Sequence, residues 1–339
     1  MNNTERITLV TLILLIMTLF SFFTNLNNSK ENGENPPLSN NKVIYPKKDP
    51  IVKTKPQDKN SNILQPKNFN SPCLNHTIMS IVAHEDDDLL FMNPNTDNLI
   101  HNGSCLVTVY LTAGDDGNNS DYWLGRQKGS EAAYSKMMGS ISQWTEYTLI
   151  TQGKENITIA KQNGNNKITL IYMHLPDGNL NGNGFITSQF ESLSRLYSGA
   201  IKTINTIDNK SSYTSDQLTN ALSQLMNDYQ PIQIWAQSTY NSKTHTDHPD
   251  HISTGLYTKK ALDLYVNTQH DHILIPIKYY LGYTVNDLQP NLNTLESNNK
   301  AKIFTVYANH DSSICKPSGD CTNINTYNSY FYRQYNSVR

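Results

Sequence analysis

Short apolar runs alternate with longer amphipathic segments through the chain from residue 77 onwards. The runs cover residues 77–83, 105–111, 168–174 and 232–236. Apolar runs of this length are typical of strands that are buried on both faces. Helix-like segments lie between or after them, at residues 122–139, 215–227 and 251–265. This order predicts an α/β fold with a Rossmann-like, mostly parallel sheet, helices on both of its faces and right-handed crossover connections.

The first seventy residues differ from the rest of the chain. Arg6 precedes Ile7–Phe23, an uncharged run whose length falls between that of a secretory signal core and that of a full membrane span. We expect residues 1–24 to be a signal peptide or membrane anchor, and the lack of a clear cleavage site favours the anchor. Positive charge before the run would place the remaining chain outside the cytoplasm, anchored or secreted. Residues 25–71, rich in Asn, Lys and Pro, should form a disordered linker, which leaves 72–339 as the folded domain.

The charge of the chain argues against one class of partner. The 27 basic and 29 acidic side chains give a formal net charge of −2, and charged residues make up only 17% of the sequence. Nucleic-acid binding depends on a basic surface that neutralises phosphates, and the sequence contains no basic stripe. A nucleic-acid partner is therefore not expected.

The cysteine pattern indicates disulfides rather than metal ligands. Cys73, Cys105, Cys315 and Cys321 form no CxxC motif and lie away from the histidine clusters described below. Structural disulfides fit an oxidising compartment. Four cysteines allow three pairings, between which the sequence does not decide. Proximity favours Cys315 with Cys321, which leaves Cys73 with Cys105.

One imidazole and four carboxylates follow the first apolar run directly. His84, Glu85, Asp86, Asp87 and Asp88 occupy a predicted strand-to-helix turn, and ligands of open α/β sheets bind at such turns. Several ionised neighbours repel each other unless a cation or hydrogen-bond donors compensate, and a divalent metal would do so. The alternative is a solvated acidic loop in which an Asp caps the next helix. This segment alone does not decide between the two.

A second polar cluster follows the fourth apolar run. The sequence HTDHPDH contains His245, Asp247, His248, Asp250 and His251 within seven positions. Catalytic zinc sites use three protein ligands from imidazoles and carboxylates and leave one position open. The two clusters together therefore predict a zinc site built from two strand ends. In the alternative interpretation, these histidines only cap a helix and coat a loop.

The two clusters resemble the signatures of a known enzyme family. AHEDDD at residues 83–88 and HPDH at residues 248–251 are similar to the motifs of the PIG-L/LmbE family of zinc-dependent N-acetylglucosamine deacetylases, whose first signature is AHPDDE. The departures are Glu85 in place of Pro and Asp88 in place of Glu, and neither replaces an implied ligand or base. Weaker matches extend this LmbE-like resemblance from Asn75 to the C-terminus: TAGDDG, YWLGR, LPDGN and YANHDS.

The resemblance implies a role for most side chains of the two signatures. Zinc would be held by three of them: His84, Asp87 and His251. Asp86 would be the general base that takes a proton from the zinc-activated water. His248 would stabilise the oxyanion and protonate the leaving amine, and Asp250 would orient the His248 imidazole.

Three further residues are candidates for substrate binding. Arg126 follows two aromatic residues near a predicted helix start, where it could contact a sugar or phosphate oxygen; the alternative is an exposed helix arginine packed over an aromatic ring. Asp177 opens DGNLNGNG, the first half of a calcium loop, but Ser188 stands at the twelfth position, so an Asn/Gly turn that lines a sugar site is expected instead. His310 is a candidate through the resemblance alone.

The resemblance implies zinc-dependent hydrolysis of the N-acetyl amide of an N-acetylglucosamine-containing glycan or glycolipid. The expected partners are this amino-sugar substrate and a membrane bound through the N-terminal segment. Two alternatives remain open. A zinc centre attacks any well-placed carbonyl, so the chain could be an amidohydrolase for another N-acyl conjugate, which only pocket shape would distinguish. The chain could also be a carbohydrate-binding surface protein without turnover, although binding alone would not require Asp86 beside a metal site.

Overall fold

A mixed sheet of nine strands forms the centre of the fold. The computed structural model describes residues 63–64, 77–269, 274–316 and 318–338, and the statements below refer to these residues. Their strands, in chain order, are β1 Ile63–Leu64, β2 Thr77–Val82, β3 Cys105–Thr112, β4 Trp144–Ile150, β5 Asn156–Gln162, β6 Ile168–Leu175, β7 Thr203–Asn205, β8 Ser212–Thr214, β9 Pro231–Gln237, β10 Ile277–Tyr280 and β11 Asn336–Val338. The sheet order is β1-β4-β5-β6-β3-β2-β9-β10-β11, and β7 and β8 form a separate antiparallel pair.

The four predicted strands are confirmed as β2, β3, β6 and β9, which lie side by side at the centre of the sheet. β2 runs parallel to β3 on one side and to β9 on the other, and β3 runs parallel to β6. Every residue of β2, β3 and β6 is buried, as expected for strands that helices cover on both faces. From β2 the sheet grows first towards β3 and much later towards β9. This reversal places a ligand crevice at the carboxyl ends of β2 and β9.

The sheet is mostly parallel but has antiparallel outer parts. β5 pairs antiparallel with β4 and β6, and β11 pairs antiparallel with β10. β4 and β5 read WTEYTLI and NITIAKQ, and only some of their side chains are buried. Such half-exposed strands lack the continuous apolar run that marks the central ones. β1 lies within the predicted linker and pairs with β4; the rest of that linker and the predicted anchor fall outside the described residues.

Helices cover both faces of the sheet, as predicted. The α-helices are α1 Asn95–His101, α2 Ser120–Met138, α3 Leu193–Tyr197, α4 Ser215–Tyr229, α5 Pro249–Thr268, α6 Thr294–Ala308 and α7 Asn328–Phe331. Shorter elements are a π-helical turn, Asp88–Met92, and 3-10 turns at Ile186–Ser188, Tyr283–Asp287 and Thr322–Tyr327. One core includes Leu222 of α4 and Tyr257 of α5, and a second includes Tyr134 of α2 and Phe304 of α6. No helix in this part of the chain is long and apolar enough to cross a membrane.

The predicted disulfide between Cys315 and Cys321 is confirmed. It closes part of the segment that follows α6, in which Ser313 lines the cavity described below. Cys105 is also disulfide-bonded, while its predicted partner, Cys73, lies outside the described residues.

Candidate metal centre and active site

The turn after β2 places its carboxylates in two different environments. The Asp88 carboxylate is buried in the core, where it accepts hydrogen bonds from the hydroxyls of Tyr134 (2.6 Å) and Tyr110 (3.3 Å). Burial raises the pKa of Asp88 to about 7. In contrast, Oδ2 of Asp87 accepts the backbone N–H of His84 (2.6 Å), which fixes this carboxylate beside the turn. Within the acidic cluster, Asp88 therefore belongs to the core and Asp87 to a candidate site.

Three side chains from the two signatures converge on one point. Nδ1 of His84 lies 3.2 Å from Oδ2 of Asp87, and Nε2 of His251 lies 2.9 Å from Oδ1 of Asp87. The possible ligand atoms of these three buried residues all lie within 4.8 Å of one another. The side chain of Gln237, at the end of β9, accepts the backbone N–H of Ala83 (2.8 Å) and ties the two strand ends together. The residues predicted to bind zinc are thus close enough to share a metal ion.

The hydrogen bonding of His251 explains why a cation fits there. Its Nδ1 donates to Oδ1 of Asp247 (2.7 Å), so Nε2 of a neutral ring presents a lone pair. That lone pair faces Oδ1 of Asp87 at 2.9 Å, and Nε2 makes no hydrogen bond to any described residue. Two lone pairs at this distance repel unless a proton or a metal ion lies between them. Although burial lowers it, Asp87 and Asp247 raise the pKa of His251 to about 10, so a proton fills this position when no metal does.

Asp247 supports this histidine from behind, a role that the sequence did not reveal. Its Oδ1 also accepts the backbone N–H groups of His248 (2.9 Å) and Tyr283 (3.0 Å). A Cβ at Gly282 would overlap the Asp247 carboxylate and lie 2.7 Å from Nδ1 of His251, so only glycine fits at this position. A carboxylate on the far nitrogen fixes the tautomer and the orientation of a metal-binding imidazole. The spacing of four residues between Asp247 and His251 on a helix start was the available signal.

Carboxylates also lie beside the second candidate histidine ligand, His84. Nε2 of His84 is 3.4 Å from Oδ2 of Asp177 and 3.5 Å from Oδ2 of Asp250. Oδ2 of Asp250 is farther from Nδ1 of His248, at 3.7 Å, and it accepts the backbone N–H of Gly178 (2.7 Å). The Asp250 carboxylate thus lies closer to His84 than to the imidazole of His248 that it was predicted to orient, and it makes no hydrogen bond to that ring. The backbone N–H of Asp250 contacts the ring instead. His84, Asp177, His248 and Asp250 form a second group whose ligand atoms lie within 4.8 Å of one another, overlapping the first.

His248 caps the helix that follows it. Its Nδ1 accepts the backbone N–H of Asp250 (3.2 Å) at the start of α5, where the first residue is Pro249. Because Nδ1 is an acceptor, a neutral His248 carries its proton on Nε2. Burial and the neighbouring His84 lower the pKa of His248 to about 4. The arrangement favours a neutral imidazole that can donate a hydrogen bond from Nε2.

Asp86 is paired with Arg126 beside the candidate ligands. Nη2 of Arg126 donates to Oδ1 of Asp86 (2.8 Å), Nε to the hydroxyl of Tyr307 (2.7 Å), and Nη1 to the carbonyl oxygen of Gly114 (2.8 Å). Arg126 is only 7% exposed, so the alternative of an exposed helix arginine is wrong. Burial raises the pKa of Asp86, and Arg126 opposes this rise. The arginine therefore holds the carboxylate in place and favours its ionised form.

A cavity of about 280 Å³ opens onto both signatures. Its lining consists of His84, Asp86, Asp87, Leu90, Asp116, Tyr122, Arg126, Asp177, Asn179, Leu180, His248, Tyr283, Ser313 and Tyr327. Arg126 and Asp177, two of the predicted substrate contacts, are thus at the cavity, whereas His310 is exposed and does not line it. A larger cavity of about 510 Å³ lies beside α4 and contains no histidine, so volume alone does not locate the site.

Eight of the fourteen lining residues were not candidate site residues in the sequence, and four of these are a carboxylate and three tyrosines. Tyr122 and Asp116 lie in the YWLGR and TAGDDG stretches, which were noted only as weak matches. Tyr283 and Tyr327 come from short 3-10 turns late in the chain and had no signal of their own. The ring of Tyr283 packs edge-on against His251, with centroids 5.1 Å apart.

Residues 79–262, more than half of the chain, match a family model described as PIG-L, GlcNAc-PI de-N-acetylase. The matched region contains both histidine-and-aspartate signatures. No curated protein sequence matches the chain.

Several solved structures resemble the chain at low sequence identity. One is a conserved protein from Thermus thermophilus, with 14% identity over 74% of this chain and 84% of that one and a TM-score of 0.38. Another is the N,N'-diacetylchitobiose deacetylase from Pyrococcus horikoshii, with 14% identity over 68% and 69% and a TM-score of 0.37. A third is the 4-carboxy-2-hydroxymuconate hydratase from Pseudomonas putida, with 10% identity over 76% and 82% and a TM-score of 0.41.

Proposed function

The chain belongs to the PIG-L family of GlcNAc-PI de-N-acetylases, and from this premise we propose that it hydrolyses the N-acetyl amide of an N-acetylglucosamine unit. The unit would be part of a glycan or a glycolipid. The observation that carries the proposal is the meeting of two distant signatures. His84 and Asp87, after β2, line the cavity, and they lie against His251, which is buried near the start of α5.

We propose zinc as the ion that His84, Asp87 and His251 hold. Two imidazoles and one carboxylate suit zinc better than magnesium or calcium, which prefer oxygen ligands. Nε2 of His251, which faces the Asp87 carboxylate, and the Asp247 carboxylate behind the ring support this choice. When bound, such an ion supplies Lewis acidity and lowers the pKa of water to about 7.

The remaining residues of the cavity can move protons and stabilise charge. Asp86, held by Arg126, is the proposed base that takes a proton from the attacking water, a contribution of about 10²–10⁴-fold. Attack on the amide carbon turns the carbonyl oxygen into an oxyanion, to which Nε2–H of His248 can donate a hydrogen bond. The resemblance assigns protonation of the leaving amine to His248, but Nδ1 of His248 accepts the backbone N–H of Asp250 and so does not carry a second proton. Protonated Asp86 is therefore the group that returns the proton to the amine nitrogen as the C–N bond breaks. Acetate and the free amine are the products.

We also propose an extracytoplasmic location, with the folded domain of residues 72–339 secreted or tethered by the N-terminal segment. Arg6 and the apolar run Ile7–Phe23 support this proposal. The disulfide between Cys315 and Cys321 supports it too, since such bonds persist in oxidising compartments.

Acetate release by the full-length protein tests the proposed activity. With one zinc bound, the protein should release acetate from N,N'-diacetylchitobiose or a related N-acetylglucosamine conjugate, and a chelator should stop the reaction. The His251→Gln variant should lose both zinc and turnover, while His245→Gln, at an exposed histidine of the same segment, should keep both. A zinc-loaded protein that releases no acetate from any such conjugate would refute the proposal.

A further inference from the structure

We infer that the site selects an N-acetylglucosamine unit whose neighbouring group is neutral or carries an amine, and disfavours one that carries a phosphate. This inference rests on the proposed function, because it names the substrate class of the same site. It follows from the charges that line the cavity. The chemistry that the cavity recognises is that of a partly de-N-acetylated amino-sugar oligomer rather than that of a phosphorylated glycoconjugate.

The positive charge of Arg126 is already neutralised by the protein. Among the described residues that line the cavity, Arg126 is the only lysine or arginine. Its guanidinium contacts three carboxylates, at 2.8 Å from Asp86, 3.5 Å from Asp311 and 3.6 Å from Glu85. Its other hydrogen bonds go to a tyrosine hydroxyl and a backbone carbonyl, and it is only 7% exposed. Recognition of a phosphate would require a free guanidinium fork, which this arginine does not offer.

Negative charge in the cavity exceeds what a bound metal would offset. Besides Asp86 and Asp87, the lining contains Asp177 and Asp116, and Asp250 lies directly behind it. The Asp116 carboxylate is exposed and makes no hydrogen bond or ion pair with a described residue. A divalent cation offsets two charges and Arg126 offsets one, so negative charge remains. A cavity with this field attracts an ammonium group and repels a phosphate.

The uncharged part of the lining fits a sugar. Three tyrosines, Tyr122, Tyr283 and Tyr327, are among the lining residues, and a tyrosine combines an apolar ring with a polar hydroxyl. A volume of about 280 Å³ is near the lower end for small-molecule pockets. One sugar unit would therefore enter, and its neighbour would lie at the rim, where Asp116 is exposed.

Kinetics with three matched substrates test the inference on the full-length zinc-loaded protein. They are N,N'-diacetylchitobiose, the same dimer with one free amine, and N-acetylglucosamine with a methyl phosphodiester on its anomeric oxygen. The phosphodiester should have a kcat/KM at least about tenfold below the other two, and added salt should narrow this difference because it screens charge. A phosphodiester that is hydrolysed as well as the neutral dimer, or better, would overturn the inference.

Variants at Asp116 test whether its charge contributes to the preference against the phosphodiester substrate. Asp116→Asn should reduce the ratio of kcat/KM for the amine-bearing dimer to kcat/KM for the phosphodiester by about two- to fivefold, the effect expected of one exposed charge. Asp116→Glu should preserve the ratio, as should Asp121→Asn, a control at an exposed aspartate that does not line the cavity. If this ratio of kcat/KM values is unchanged in Asp116→Asn, Asp116 does not contribute to the selection between the two substrates.

Binding separates failure of the inference from failure of the proposed function. If no substrate releases acetate, the proposed function is refuted. Calorimetric affinities of the same three compounds for the same protein still decide the inference. Tighter binding of the amine-bearing dimer, weakened by salt, supports the inference, and tighter binding of the phosphodiester overturns it.

Discussion

Replacing Asp247 by Asn should weaken zinc binding by about 10–100-fold without unfolding the protein. Oδ1 of Asp247 accepts three hydrogen bonds, from Nδ1 of His251 (2.7 Å) and from two backbone N–H groups (2.9 and 3.0 Å). An amide oxygen can accept the same three bonds in the same space, so the substitution removes negative charge rather than contacts. The loss corresponds to about 1.4–2.7 kcal/mol of zinc binding free energy, because tenfold in affinity is about 1.4 kcal/mol.

Competition with a chelator of known zinc affinity, performed on the full-length protein, measures this effect. Asp263→Asn is the matched control, because Asp263 lies on α5, the helix that carries His251, but is exposed and paired with Lys259 at the surface. It should bind zinc like the unmodified protein. An Asp247→Asn variant with native circular dichroism and undiminished zinc affinity would refute the argument that this carboxylate orients His251 for a metal.

Other residues of the site and the core give further expected outcomes. Asp86→Asn should lower kcat by about 10²–10⁴-fold while one zinc per chain stays bound; loss of zinc along with turnover would contradict its role as a base. Gly282→Ala should reduce zinc affinity in chelator competition, since its Cβ would overlap the Asp247 carboxylate and press on His251; full affinity would show that this contact is not constraining. Lys300→Met should lower the free energy of unfolding in urea by about 1–3 kcal/mol, because the buried amino group donates to two backbone carbonyls that would lose their donor; unchanged stability would contradict this. In the metal-free protein, although burial lowers it, Asp87 and Asp247 raise the pKa of His251 from 6.5 to about 10. Protonation of His251 therefore stabilises the fold fully below about pH 6.5 and less as the pH rises towards 10, so the midpoint of thermal unfolding should fall over that range. A rising midpoint would be inconsistent with this pKa.

The central strands and the signature residues can be predicted from the sequence because their signals are local. A continuous apolar run marks β2, β3, β6 and β9, and the ligand types of each signature stand next to one another in the chain. The half-exposed strands β4 and β5 have no such run, because partial burial permits polar residues along them. Their antiparallel pairing therefore becomes visible only in the folded sheet.

Roles that depend on distant contacts cannot be predicted in this way. Arg126 is buried because Tyr307 and Asp311, from the end of α6 and beyond, meet it across the fold. Asp247 matters because the loop after β10 brings Gly282 against it. Nothing in the sequence near Arg126 specifies its partners. The spacing of Asp247 and His251 is compatible with their contact, but nothing in the sequence indicates that Gly282 packs against both.

Anomalous diffraction at the zinc edge, from crystals of the full-length protein grown with one equivalent of zinc, tests the central claim directly. We predict a single peak at bonding distance, about 2.0–2.2 Å, from Nδ1 of His84, a carboxylate oxygen of Asp87 and Nε2 of His251. A peak that instead lies among Asp177, His248 and Asp250, or no ordered zinc at either group, would contradict it.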